Sequence, residues 1–302
     1  MENERVDIGV CRSLKARVIS ELGWFDGAKL QRDIKLAGGM QVSQYEIDWE
    51  KENAAGYSAL LEAEELDGTR HRILMDAGWN AEWIDRRIKA EGVDRLLRDG
   101  QIDFLFLSHE HMDHLWGLPA VVKYRPDLTI RITSTLNAQS RELISSSGHT
   151  GRLVVSSPGR IVPIFPGCAS VTFNMPIILK IQGEQALFFN LEGKGLVIVT
   201  GCCHMGVINL IRFARENLEG GDNIYGIFGG LHISPFDQWE DEHDELISNL
   251  AGFGIKKLGC HHCTGYLAVE KMLEKGLPVV KGSGRHGSLR DIYLGNGDEI
   301  VF

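Results

Sequence analysis

Residues 102–114 read Ile102-Asp103-Phe104-Leu105-Phe106-Leu107-Ser108-His109-Glu110-His111-Met112-Asp113-His114. The first six form an apolar run of the length of a buried strand. Three histidines and an aspartate follow at once. Alternate residues in an extended turn place two imidazoles, His109 and His111, on one cation. Asp113 and His114 then turn toward a second cation nearby. Imidazole with carboxylate suits zinc, iron(II) or manganese. A pair of such metals lowers the pKa of a water between them and clamps the oxygens of a displaced group. A surface histidine cluster is the competing reading of the same residues.

Working outward, the second half of the chain repeats one theme. Leu196–Thr200 is an apolar strand that ends in Gly-Cys-Cys-His, before a helix over 206–218. Ile224–Phe228 ends in Gly-Gly-Leu-His, before a helix over 238–251. Ile255–Gly259 ends in Cys-His-His-Cys-Thr-Gly, before a helix over 265–275. Ligand sites in open α/β sheets collect at the carboxyl ends of strands. Three deliveries of histidine to one sheet edge are hard to explain as core packing. Upstream, Tyr57–Glu62 and His71–Met75 read as strands flanking an Asp-Gly turn at 67–68. Trp83–Leu97 reads as one helix, Leu115–Lys123 as another, and Thr129–Thr133 as a strand. Arg17–Trp24 reads as an opening strand, residues 25–56 as a long irregular insertion, and Ser145–Pro166 as a loop-rich stretch within reach of substrate.

Composition narrows the function classes. The 302 residues carry 43% hydrophobic and 24% charged side chains, ordinary for a globular chain with a full core. One continuous domain, 1–302, is expected, since no low-complexity linker divides it. The net charge of −9 argues against a bulk nucleic-acid surface. A small anionic substrate in a local pocket is still compatible with it. No stretch is long and apolar enough to span a membrane, and the charged opening residues carry no secretion signal. The six cysteines include an adjacent pair, Cys202 and Cys203, and two flanking a histidine pair, Cys260 and Cys263. That clustering fits reduced thiols in a cytoplasmic protein. Cys260-x-x-Cys263 could also hold a structural zinc, though two ligands alone do not complete one.

His-x-His-x-Asp-His after a strand resembles the signature of the metallo-β-lactamase superfamily, and Asp76 in Leu74-Met75-Asp76-Ala77-Gly78 matches that superfamily's earlier aspartate. Leu107–Leu118, Thr200–Gly206, Gly229–His232 and His262–Gly265 are similar to one group within it. That group is named for the dihydropterin–aminobenzene ribofuranosyl phosphate synthase of methanopterin biosynthesis, and its other members are described as metal-dependent hydrolases. The resemblance implies an α/β fold of the αββα sandwich type with two divalent metals, zinc first and iron(II) or manganese as alternatives. It implies His109, His111, Asp113, His114, His204 and His262 as ligands, with Cys202 at a position where many members carry a bridging aspartate. His204 alternatively fills the role of the third histidine, because no Pro-Gly-His loop precedes its strand. Cys203 reads as packing. Asp76 reads as a group that holds a ligand histidine by hydrogen bonds. His232 becomes a general acid or phosphate contact, and Gly229, Gly230 and Thr264 candidate substrate contacts. His261 reads as a supporting or surface residue; His71, His149, His243 and His286 read as surface residues.

The implied activity is hydrolysis of a phosphorylated or other anionic ester by metal-activated water. The group's name also implies a transferase that displaces diphosphate from a pterin methyl carbon. Glu110, Met112 and Leu115-Trp116-Gly117 depart from the group's usual Gly, Tyr and Thr-Gly-Gly. Glu110 stands where di-iron redox members of the superfamily carry a ligand, which keeps a di-iron reading open.

Overall fold

The computed structural model describes residues 4–302. The chain opens with β1 (Cys11–Ser20), not with a strand over 17–24, and crosses to α1 (Gly27–Ala37). The stretch read as an irregular insertion therefore contains a regular helix. Asp26 caps it by accepting from the amides of Ala28 and Lys29, and Gly38 closes it in the left-handed conformation. β2 (Ser58–Glu65) and β3 (Arg70–Met75) form the expected hairpin. The single helix read over 83–97 is two, α2 (Ala81–Ala90) and α3 (Val93–Arg98), because Gly92 between them takes φ +71°. β4 (Phe104–Phe106) leads into α4 (Met112–Leu115), and Pro119 starts a separate α5 (Pro119–Val122). β5 (Ile130–Thr133) and α6 (Ala138–Ser146) follow. The stretch read as loop-rich carries two strands, β6 (Leu153–Ser156) and β7 (Ile161–Phe165).

The long β8 (Cys168–Ile177) and β9 (Ile181–Leu191) pair antiparallel. The three strand–helix units then follow as β10 (Gly195–Thr200) with α7 (Val207–Asn217), β11 (Ile224–Gly229) with α8 (Asp241–Ala251), and β12 (Lys257–Cys260) with α9 (Tyr266–Glu274). β13 (Glu299–Val301) returns to pair with β1. The strands run in the order β12-β11-β10-β9-β1-β2-β3-β4-β5-β6, and β9 touches β1 only at Leu191 and Cys11.

Alternation along the strands sorts the apolar residues into layers. Ile73 and Met75 on β3, and Val197 and Val199 on β10, meet in one central core. Leu74, on the opposite face of β3, packs under α2 and α3 with Ile84, Ile88 and Leu97. Leu196 and Ile198 pack under α7, α8 and α9 with Leu210, Leu250 and Val269. Three core layers between two helical and two sheet layers make an αββα sandwich. A fourth, smaller cluster joins Leu30 and Ile34 of α1 to Trp49, Trp79, Met112 and Leu179. It seats α1 over the carboxyl ends of β4 and its neighbours.

Candidate metal centre

Five strand ends converge on one point. β3 delivers Asp76, β4 delivers residues 108–114, and β10, β11 and β12 deliver Cys202 with His204, His232, and His262. Four of these turns hold a non-glycine residue in the left-handed region: Asp76 at φ +56°, Cys203 at +63°, His232 at +48° and His262 at +60°. Such conformations persist only where the surroundings over-determine them, and they gather at functional sites.

The inward atoms fall into overlapping sets whose ligand atoms lie within 4.8 Å of one another. One set is His109, His111 and His204; another is Asp113, His114 and His262. Cys202 joins both sides, with His109 and His114 in one grouping and with His262 and Cys263 in the other. The outer nitrogens assign the tautomers. His262 Nδ1 faces the Glu21 carbonyl at 3.0 Å, and His111 Nε2 faces the Ile178 carbonyl at 3.2 Å. His114 Nδ1 lies 2.7 Å from Asp76 Oδ2, and His204 Nδ1 3.2 Å from Glu184 Oε2. The Ser108 hydroxyl donates to Asp76 Oδ2 and so accepts from His109 Nδ1 at 2.9 Å. Each outer nitrogen thus holds the proton, and each inner one presents a bare lone pair.

Those lone pairs face each other. His109 Nε2 lies 2.9 Å from His111 Nδ1, and His114 Nε2 lies 3.0 Å from His262 Nε2 and 3.1 Å from Cys202 Sγ. His204 Nε2 is buried with no hydrogen-bond partner. Inward lone pairs without protons between them repel, and a divalent cation among them removes the conflict. The donor set fits divalent cations. Electrostatics agree: burial pushes His109, His111 and His114 well below the usual imidazole range, and His232 and His262 down to about 3. Neutral imidazoles are the form that ligates. Burial pushes the Asp113 carboxyl up to about 7, which marks a group in want of a nearby positive charge.

The surrounding contacts fix these ligands. Asp76 takes the Ser108 amide at 2.7 Å besides its contacts with the Ser108 hydroxyl and His114. It touches the candidate ligand His114 and does not line the cavity, so it is a positioning residue. Sequence reading passed over several supports. Glu184 of β9 is buried and accepts from the amides of Cys202, Cys203 and His204 at 2.9, 2.8 and 2.6 Å, as well as facing His204 Nδ1. Burial alone would raise its carboxyl, but the His204 imidazole and those amides outweigh it and hold it below its usual range. Gln44 clamps the other loop, donating to the Glu110 carbonyl and accepting from the Met112 amide. Tyr57 stacks on His262 and donates to His261 Nε2. His261 is fully buried, which removes its surface reading.

The other residues singled out in the sequence are placed as follows. Gly229 and Gly230 serve chain-to-chain packing: a Cβ there would meet Thr200 O at 1.9 Å and Cys263 Sγ at 2.5 Å. Thr264 Oγ1 accepts from the Leu231 amide and so holds the His232 turn. Glu110 turns away from the cluster, its Oε2 accepting from the Asn137 amide at the start of α6. That removes its di-iron signal. Cys260 lies in the core under α7–α9, apart from Cys263 beside the cluster, so the C-x-x-C does not converge. Cys203 packs in that same core. His71 is half-buried between Glu65 and Asp103 with its ring on Phe165, while His149 bonds the Leu128 carbonyl and His243 caps α8. His286 lies in the segment before β13, with no contact to the cluster.

A cavity of about 190 Å³ opens over the cluster, with His111, Asp113, Cys202, His204 and His232 as its floor. Among the described residues, no lysine or arginine lines it. None of the described helices is long and apolar enough to cross a membrane.

The model of the metallo-β-lactamase superfamily matches residues 55–166. The chain is 26% identical over 257 residues to 7,8-dihydropterin-6-methyl-4-(β-D-ribofuranosyl)-aminobenzene-5'-phosphate synthase of Methanocaldococcus jannaschii, covering 73% of this chain and 84% of that one. It is 30% identical over 142 residues to the lactamase-like protein adaB of Aspergillus niger, covering 44% of this chain and 40% of that one. The crystal structure of Tm1679, a metal-dependent hydrolase of the β-lactamase superfamily, superposes with a TM-score of 0.58 at 18% identity, over 95% of this chain and 98% of that one. The resemblance read from the sequence is borne out, and the fold is the metallo-β-lactamase fold.

Proposed function

From a chain of the metallo-β-lactamase fold with this cluster, we propose a metal-dependent hydrolase that holds two divalent cations and attacks a small-molecule ester with water. The observation that carries it is the set of inward lone pairs on His109, His111, His114, His204 and His262, each fixed by an outer proton already committed elsewhere. His109, His111 and His204 would hold one cation and Asp113, His114 and His262 the other, with Cys202 between them. Zinc suits this nitrogen, oxygen and sulfur set best; iron(II) is next, and a thiolate disfavours manganese. Two such ions would lower the pKa of a water and polarise the ester oxygen. Asp76, Ser108 and Glu184 keep the imidazoles aimed. His232 lines the cavity 4.6 Å, ring to ring, from His204, where its neutral imidazole donates a hydrogen bond to the leaving oxygen. The absence of lysine and arginine leaves any substrate charge to the cations.

The transferase reading draws on the synthase relative. It uses the same cluster, so ligands do not separate the two. Solvent oxygen does. A panel of carboxylic esters, lactones and phosphodiesters turned over in oxygen-18 water should place label in the acid product. Turnover without solvent oxygen in any product would overturn hydrolysis and leave transfer standing. Fold alone does not fix the reaction type.

A further inference from the structure

The cavity over the cluster joins two unlike surfaces. Its floor is the polar cluster; its walls are Trp24, Leu30, Ile34, Met40, Ile178 and Phe236. Leu30 and Ile34 stand one turn apart on α1 and face the same way. Met40 and Ile178 carry the apolar wall out to the mouth, at 37% and 39% exposure. A phosphate seated against these walls would lose water and gain no counter-charge. A pterin ring would bury donors and acceptors without partners. An apolar group loses nothing there. The volume holds about six water-sized groups, hence about six carbons.

Resting on the hydrolase reading, we propose that the substrate is an ester whose non-reacting part is an apolar chain or ring of about six carbons, laid against α1 while the ester sits on the cluster. In the reaction, the oxygen of water bonds to the acyl carbon or phosphorus, the ester C–O or P–O bond breaks, and the proton that the water sheds is balanced by the one the leaving oxygen takes up. Leu30, Ile34, Met40 and Ile178 are then specificity-determining residues. Carboxylic esters and phosphodiesters share the apolar group, and the experiment separates them.

The metal-loaded protein is assayed on p-nitrophenyl esters from acetate to octanoate and on alkyl p-nitrophenyl phosphates of matching length. In one series, kcat/KM should rise about fourfold per methylene and level off near six carbons. Hexanoate should bind on the order of a hundredfold tighter than acetate by calorimetry, since four methylenes separate them. Met40→Lys and Ile178→Lys, at partly exposed positions that tolerate charge, should flatten the length dependence and weaken hexanoate binding at least tenfold while circular dichroism stays unchanged. Turnover that ignores chain length, or hexanoate binding no tighter than acetate, overturns this inference and leaves hydrolysis untouched. If no ester turns over yet hexanoate binds tightly and the variants weaken it, the hydrolase reading fails and the apolar site stands.

Discussion

Glu184 shows how one side chain on a neighbouring strand can set a candidate metal ligand. It satisfies the Cys202, Cys203 and His204 amides as they leave β10, and its remaining contact faces the His204 ring. Glu184→Gln keeps the shape but loses the charge and puts an amide donor where only acceptors fit. Loss of an outer partner typically costs 10–100-fold in metal affinity. Elemental analysis after dialysis should therefore fall from about two metals per chain to about one; two retained metals would remove Glu184 from this role. The thiols offer a second test at the same scale. Cys202 Sγ lies 3.1 Å from His114 Nε2, whereas Cys203 packs under α7. Cobalt-loaded protein should show a near-ultraviolet thiolate band that Cys202→Ser abolishes and Cys203→Ser keeps. Equal, small effects would show both thiols merely packing. Residue identity made His109, His111, Asp113 and His114 readable, because the spacing itself is chemical. Glu184 was not readable: it is a lone acid in Gln182-Gly183-Glu184-Gln185, 20 residues before its histidine, and only the pairing of β9 with β10 brings the two together.

At the scale of elements, the strand–helix units of the second half were legible because each carries an apolar run, a glycine and a histidine in order. The irregular first half was less so. Asp26 and Gly38 are proper start and stop signals, yet α1 offers little apolar surface beyond Leu30, Ile34 and the half-buried Ala37, and its period is diluted by charge. Gly92 and Pro119 broke two helices that periodicity alone ran together. α1 matters beyond its own stability, since it walls the cavity. Asp26→Ala removes the cap on the Ala28 and Lys29 amides and should cost about 1 kcal/mol of stability. The first turn carries the approach to Leu30, so its fraying should raise KM for a hexanoyl ester several-fold with little change in kcat, because the cluster itself is not touched. A fall in kcat with KM unchanged would mean that α1 acts on the chemistry and not on binding.

Across the whole molecule, the buried histidines tie stability to pH, and the sign can be worked out. Burial lowers six imidazoles in the folded chain: His109, His111, His114, His232, His261 and His262. Each gains a proton on unfolding once the pH is below about 6.5. Burial raises four carboxyls in the folded chain: Asp76, Glu110, and Asp113 and Glu21, the last two to about 7. A raised carboxyl releases protons on unfolding, which opposes the histidines. The histidines outnumber the carboxyls, so unfolding takes up protons on balance. Stability then falls with falling pH, by about 1.4 kcal/mol per unit for each net proton. Folded domains hold only about 5–15 kcal/mol in all, so the loss between pH 6.5 and 5 should be plain in urea midpoints of chelator-treated protein. Cations bound to the folded chain alone add stability at neutral pH, about 2.7 kcal/mol for one site at a hundred times its dissociation constant. They also need the Asp113 carboxyl ionised, and burial raises it to about 7, so acid erodes this contribution as well. Metal-loaded protein should thus exceed the chelated form by more at pH 7 than at pH 5. A gap that persists unchanged at pH 5 would mean that the cations bind without Asp113.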